Sequence, residues 1–468
     1  MRRKHLLAAW LVLAAGCALD VLDEPELERV AEALMGCSAP EGSPGASNAV
    51  YYGSWGASGQ PGTVSACRKL EGNQMWTGWV KPGWAERAKR AIQFRYVTRD
   101  AAGRNQPATA LLLVPNAVPA SNAGKAPLIA LASGTAGLAD ACAPSLATRR
   151  NESIVQDQAA FYLGLGMTVV IPDYLGLGTE LTGMNPWVFG NGTDVPYLEG
   201  PSAARVVLDA LRAARTLPGA HFDGGTIPSD WPASVSGGSL GGHAALWTSA
   251  SAAPEDKLRA SIGVAPPVDL AQLVPAIDAG GYSLLNAYIL SGFFASTDSE
   301  TQGVDERAQL SQQGRDVLAK VRTTCIAEFS ASSIVGLYGD TRMSKLLQNW
   351  AAFQTLPRWK KWLEKNSLLF QGSKRTDPRS PVLVLHGAQD DTVPLAPGRA
   401  LLVQQWGAQV VAPPTTFFAN VARADRAFLQ VPVGNHFTVG GIETETVDAN
   451  NRYAPFEWYL DSVFSRAR

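Results

Sequence analysis

Ser239 stands in Gly237-Gly238-Ser239-Leu240-Gly241, directly after the β-prone run Ala233-Ser234-Val235-Ser236 and directly before the helix-forming run His243-Ala244-Ala245-Leu246-Trp247. A serine on a sharp strand-to-helix turn takes a strained backbone. Glycines two residues before and after it, Gly237 and Gly241, let that turn close without clashing with neighbouring chain. The hydroxyl is then exposed at the N-terminus of a helix, where it can attack a carbonyl carbon. A serine between glycines is often only a tight turn, so the chemistry requires partners: a base to take the proton and an acid to hold that base in the right tautomer.

The chain has five histidines, few enough to sort by elimination. His5 lies in an N-terminal targeting segment, His221 in a polar loop, and His243 on the helix four residues past the serine. His386 closes the apolar run Pro381 to Leu385, where a packing or loop-positioning role is expected. His436 remains, on a C-terminal loop after the strand-like run Ala427 to Val433. Between the serine and His436, the segment His386-Gly387-Ala388-Gln389-Asp390-Asp391-Thr392-Val393-Pro394 puts carboxylates just past a strand. Asp390 is the expected acid, with Asp391 as the alternative, because adjacent acids at a strand end are chemically alike. The oxyanion of a tetrahedral intermediate needs two donors. One is the N–H of Leu240. The other comes from the loop Ser133-Gly134-Thr135-Ala136-Gly137 after the strand Leu128 to Ala132, with Thr135 favoured and Ala136 next.

Further stretches carry a resemblance. The oxyanion loop continues as Leu138-Ala139-Asp140-Ala141-Cys142-Ala143-Pro144-Ser145, and a second segment reads Ile171-Pro172-Asp173-Tyr174-Leu175-Gly176-Leu177-Gly178. With the serine turn and the His386 to Pro394 segment, these resemble the secretory lipase family, the lipase-A-like branch of the α/β-hydrolases in its bacterial form, over about residues 85 to 460. The chain order Ser239, Asp390, His436 is the order of that fold. The resemblance implies nucleophile, acid and base at those three positions, Thr135 and Leu240 as the oxyanion hole, and an α/β fold: a mostly parallel central sheet with helices on both faces and an inserted, mainly helical cap. Ser133-Gly134 departs from the His-Gly usual in bacterial relatives, which bears on substrate preference. The resemblance also pairs Cys142 with Cys325, leaving Cys37 to Cys67. Asp173 and Tyr174 read as loop-packing residues.

Composition agrees with an exported globular enzyme. A hydrophobic content of 46% supports a large core, and a net charge of −1 gives no electrostatic case for nucleic acid or an anionic membrane surface. Met1 to His5 is a basic n-region and Leu6 to Gly16 a short apolar h-region, so a signal peptide over residues 1–17 is expected. Ala14-Ala15-Gly16-Cys17 resembles a lipobox, making Cys17 a lipidation candidate that would tether the protein to a membrane. Cleavage after Ala18 is the alternative. Setting Cys17 aside leaves four cysteines, enough for two disulfides. Free buried thiols are the bland alternative. No spacing suits zinc, and no cofactor or metal is implied.

Residues 18–85 form an N-terminal extension in which Trp55, Trp76, Trp79 and Trp84 read as packing anchors. Residues 86–270 and 376–468 form the hydrolase core, with strand-like runs at 92–97, 108–114, 128–132, 167–171, 233–236 and 261–264. Residues 271–375 form the helical cap, with amphipathic helices expected over 305–320 and 343–363. Gly280, Gly281, Asn286 and Gly292 argue against a membrane span in the uncharged stretch between Asp278 and Asp298. The expected activity is hydrolysis of carboxylic esters, triacylglycerols included. A serine peptidase or acyl-aminoacyl hydrolase on the same fold is the alternative enzyme. A tethered surface binding protein with a decayed site is the alternative outside enzymes.

Overall fold

The computed structural model describes residues 53–54, 57–70, 82–118, 126–149, 155–180, 195–280, 282–301, 306–326, 338–411, 426–431 and 435–436. His5, Cys17, Cys37, Trp55, Trp76 and Trp79 lie outside them, as does the targeting segment.

The dominant element is a ten-stranded sheet. Its strands, in chain order, are β1 (Val64–Leu70), β2 (Ala88–Arg99), β3 (Asn105–Pro115), β4 (Leu128–Ala132), β5 (Thr168–Pro172), β6 (Ala233–Gly238), β7 (Leu258–Val264), β8 (Val382–Gly387), β9 (Gln409–Val411) and β10 (Arg426–Val431). They lie in the order β9-β10-β8-β7-β6-β4-β5-β3-β2-β1. The seven strands from β9 to β5 pair in parallel; β3, β2 and β1 continue the sheet antiparallel. Central strands such as β4, β5 and β8 are buried along their whole length, as strands covered on both faces must be. β1 and the three-residue β9 are strands the sequence hid; in β1 Val64 is the only β-branched residue, and residues 64–70 read as part of an extension. They form the sheet edge instead, antiparallel to β2.

Helices α1 (Pro144–Arg149), α2 (Gln156–Gly164), α3 (Gly200–Thr216) and α4 (Leu240–Ser251) belong to the core. α3 buries the stripe Ala204, Val207, Leu208 and Leu211, spaced for one helix face. Between β7 and β8 the chain leaves the sheet and forms α5 (Leu270–Ala279), α6 (Leu285–Phe294), α7 (Gln312–Val321) and α8 (Pro357–Lys365). Two helices expected from periodicity are broken into shorter pieces, and capping explains where. The turn Glu306–Gln309 stops before Ser311, whose side chain accepts the N–H of Gly314 (2.9 Å) and starts α7. The turns Met343–Leu346 and Trp350–Phe353 stay separate because the Asn349 side chain caps the second (3.0 Å to Ala352 N), and Pro357 begins α8 afresh. Most of this region's large apolar residues pack on one another: Phe293 meets Trp359 edge-on at 5.1 Å and Phe353 at 5.7 Å, and Trp359 stacks on Trp362 at 5.5 Å. Among the described residues no helix is long and apolar enough to cross a membrane.

Cys142 and Cys325 are joined across 183 residues of chain. Cys67 is disulfide-bonded too; Cys37, its partner expected from the resemblance, is not among the described residues. Closing so long a loop removes unfolded-chain entropy worth about 5 kcal/mol. A Cys142→Ser, Cys325→Ser double variant is therefore expected to melt about 5–10 °C lower. Differential scanning calorimetry checks this, and an unchanged melting temperature would show that the crosslink restrains little.

Candidate active site

The parallel strands β4, β6, β8 and β10 end at one edge of the sheet, and the residues singled out from the sequence follow them at short distances: Thr135, Ser239, Asp390 and His436. Ser239 takes φ 54° and ψ −119°, one of few non-glycine residues with positive φ. The turn is this tight because β4 and α4 crowd it. A Cβ on Gly241 would sit 1.9 Å from the Ala132 carbonyl oxygen, and one on Gly237 2.5 Å from the same oxygen. The expected glycines are thus demanded by close approach. Ser239 N–H donates to Val264 O (2.8 Å), and its own carbonyl accepts the His243 N–H (3.0 Å), fixing the turn to β7 and α4.

His436 Nε2 lies 3.0 Å from Ser239 Oγ, and its Nδ1 lies 2.9 Å from Asp390 Oδ2. An ionised carboxylate only accepts, so Nδ1 carries the proton and Nε2 is left to accept from the serine hydroxyl. The Asp390 side chain is buried, and its Oδ1 accepts the N–H groups of Thr392 (3.0 Å) and Val393 (2.8 Å). Burial would raise its pKa, but hydrogen bonds from His386 and His436 outweigh that and hold the carboxyl well below the usual range. Asp391, beside it, is exposed and among the described residues receives the Thr392 hydroxyl (3.3 Å). His243 is turned away into the core, its Nδ1 2.7 Å from Pro267 O, and burial lowers its pKa to about 4. His221 pairs with Asp223 at 2.6 Å.

Leu240 opens α4, where backbone N–H groups have no intrahelical acceptor. Thr135 is buried beside it on the loop after β4, and its Oγ1 is 2.6 Å from the Tyr197 hydroxyl. Several contacts strap this loop down. Tyr174 donates to Ser133 O (2.7 Å), Ile326 N–H donates to Ala136 O (2.9 Å), and Gly137 is bridged to Cys325 beside the disulfide. A Cβ on Gly137, at φ 131°, would fall 2.5 Å from Cys142 Sγ. Asp173 accepts the N–H and hydroxyl of Ser145 (2.7 and 2.6 Å) and the Thr109 hydroxyl (2.5 Å); burial, opposed by these bonds, pushes its carboxyl up to about 7. Asp173 and Tyr174 thus hold Ser145 and Ser133 in place on either side of the oxyanion loop.

Tyr197 is the residue that sequence reasoning missed. It follows no strand and sits in no motif. Tertiary packing sets its position: α6 lies so close that a Cβ on Gly292 would come 2.2 Å from the Tyr197 carbonyl oxygen, and the next residue, Leu198, is held at φ 60°. Glu199 then binds Ser202 at the start of α3 and Ser296 (3.0 Å) and Thr297 N–H (2.8 Å) just past α6. Burial raises the Tyr197 pKa to about 12, offset in part by the Thr135 hydrogen bond, so the phenol stays neutral. A small apolar cavity adjoins Leu240, lined by Gly134, Ala136, Leu177, Val195 and Tyr197. Among the described residues no group of three or more His, Cys, Asp or Glu side chains is arranged to hold a metal ion.

The fold is shared with solved structures. Candida antarctica lipase A in its closed state aligns with TM-score 0.63 at 18% identity, covering 87% of this chain and 83% of that one. The rice cell wall degrading esterase LipA from Xanthomonas oryzae aligns with TM-score 0.54 at 19% identity, covering 87% and 98%. A putative hydrolase from Legionella pneumophila aligns with TM-score 0.53 at 15% identity, covering 82% and 93%. No curated protein sequence matches the chain. The family model "Secretory lipase" matches residues 154–423, a span that contains Ser239 and Asp390 and stops short of His436. With more than half of its length matched by that model, on the α/β-hydrolase fold just described, the chain belongs to the secretory lipase family.

Proposed function

We propose that this carboxylic ester hydrolase works through an acyl-enzyme formed on Ser239. The observation that carries the reading is the line of hydrogen bonds from Ser239 Oγ through His436 to Asp390, at 3.0 and 2.9 Å. As Oγ attacks the ester carbonyl carbon, its proton passes to His436 Nε2, and Asp390 stabilises the imidazolium that results. The carbonyl oxygen, now negative, is met by the Leu240 N–H and by the loop at Thr135. Collapse breaks the bond to the alcohol oxygen, which takes the proton from His436. Water then attacks the acyl carbonyl carbon as His436 accepts its proton, and collapse breaks the bond to Ser239 Oγ, which takes the proton back from His436 as the acid leaves.

The protein acts outside the cytoplasm in this reading. Two supports are independent: the basic and apolar N-terminal segment, and the disulfides at Cys142–Cys325 and Cys67, a pattern of oxidising compartments. Lipidation of Cys17 would make it a membrane-tethered enzyme. The test of function is a rate profile over p-nitrophenyl esters of increasing acyl length with a matched anilide beside them. Ester turnover far above anilide turnover is expected, and the reverse ranking would make the protein an amidase.

Tyr197 supplies a separate prediction. Its hydroxyl holds Thr135 by one buried hydrogen bond, worth about 0.5–1.5 kcal/mol. Tyr197→Phe should accordingly lower kcat about three- to tenfold with KM little changed, because the oxyanion donor is needed most in the transition state. Steady-state kinetics on one ester decide it: an unaltered kcat removes Tyr197 from the oxyanion loop's support.

A further inference from the structure

We propose that His386 is a positioning residue for the acid of the triad, a fourth member of the line that acts on Ser239 only through Asp390 and His436. The proposal rests on the triad reading above. His386 is fully buried at the end of β8. Its Nε2 lies 3.0 Å from Val393 O and 3.3 Å from Asp390 Oδ2. Both are acceptors, so Nε2 must carry a proton. Nδ1, on the other side of the ring, is buried with no hydrogen-bond partner among the described residues and faces Gly398, where a Cβ would come within 3.2 Å. A proton there would be a buried donor with no described group to receive it, which favours the Nε2–H tautomer.

Two imidazoles therefore approach one carboxylate oxygen, His436 at 2.9 Å and His386 at 3.3 Å. Two consequences follow. First, the Nε2–H meets Val393 O and lies beside the carboxylate, so the loop 387–393 is closed by the ring that starts it, against the same oxygen that His436 approaches. Second, the His386 N–H takes up part of the negative charge on the oxygen on which His436 leans, and so bears on how strongly that carboxylate holds the imidazolium formed at His436 during turnover. Among the described residues the other charged or titratable groups facing Asp390 are Asp391, exposed beside it, and Tyr282, whose phenol burial and the two aspartates push up and keep neutral.

The test uses the whole enzyme with an ester substrate. His386→Leu removes the donor: kcat is expected to fall about 10- to 100-fold with KM within about twofold, and the acid limb of the kcat/KM profile to move up by about half a pH unit to one unit. The sign follows from charge, since a carboxylate with one donor fewer binds the His436 imidazolium more tightly. His386→Gln, which keeps an N–H donor, should recover most of kcat and return the limb. A Leu variant with wild-type kcat and limb, or Leu and Gln variants equally slow with an unmoved limb, would overturn the proposal. Because leucine could disrupt folding, histidine 15N NMR on the wild-type protein is the second measurement: the Nε2–H tautomer is expected at His386 near neutral pH, and the Nδ1–H tautomer there would overturn it. Ser239→Ala assayed alongside keeps the two readings apart. Activity lost there but intact in His386→Leu rejects this inference alone, whereas activity retained in Ser239→Ala rejects the triad itself.

Discussion

Ser239→Ala is expected to fold as the wild type does while hydrolysing esters on the order of 10⁵- to 10⁶-fold more slowly, the residue of catalysis coming from binding and the oxyanion donors. Folding should survive because the hydroxyl contributes nothing that the turn needs. The turn is held by backbone bonds from Ser239 N–H to Val264 O and from His243 N–H to the Ser239 carbonyl, and alanine keeps both. Alanine also tolerates the positive φ no worse than serine, whose strain the surrounding β4 and α4 already impose. The check is paired: circular dichroism melts to show equal stability, and p-nitrophenyl ester assays to show lost turnover. Near-normal activity in a folded variant would remove Ser239 as nucleophile.

The second large effect separates two adjacent acids. Asp390→Asn should reduce kcat on the order of 10⁴-fold, since an amide facing His436 can present its N–H and turn the imidazole into the wrong tautomer. His436 would then point a proton at Ser239 Oγ instead of a lone pair. Asp391→Asn is expected to cost no more than a few-fold, because that carboxylate is exposed and among the described residues is hydrogen-bonded to the Thr392 hydroxyl alone. Comparing kcat for the two variants on one substrate settles the matter, and the opposite ranking would move the acid to Asp391.

What the sequence revealed and what it concealed divide along a physical line. Strands buried on both faces are continuous apolar runs, so β4, β5 and β8 could be read almost residue for residue from Leu128–Ala132, Met167–Ile171 and Pro381–Leu385. Chemistry tied to a strand end was legible for the same reason: Ser239, Asp390 and His436 each follow such a run, and their order along the chain is an order in the sheet. β1 was illegible because an edge strand with one half-exposed face needs no apolar run. Periodicity joined helix pieces that Ser311, Asn349 and Pro357 separate, since an apolar stripe continues through a cap that local side-chain hydrogen bonds create. Asp390 and Asp391 could not be told apart by chemistry; burial and the two backbone N–H groups on Asp390 Oδ1 distinguish them. Tyr197 reaches Thr135 over 62 residues, with no local signature to betray it, whereas His386 stands four residues before Asp390 and its loop-positioning role was legible.

Labelling with a serine-reactive fluorophosphonate, followed by intact mass and peptide mapping, bears most directly on the claim that Ser239 is a nucleophile activated by His436 and Asp390. The probe phosphonylates only a serine whose proton is being drawn off and whose developing oxyanion is held. One adduct per chain, mapped to Ser239, blocking ester hydrolysis in proportion and formed far more slowly in His436→Ala, is the predicted result. An adduct on a different serine, or undiminished ester hydrolysis from fully labelled protein, would contradict it.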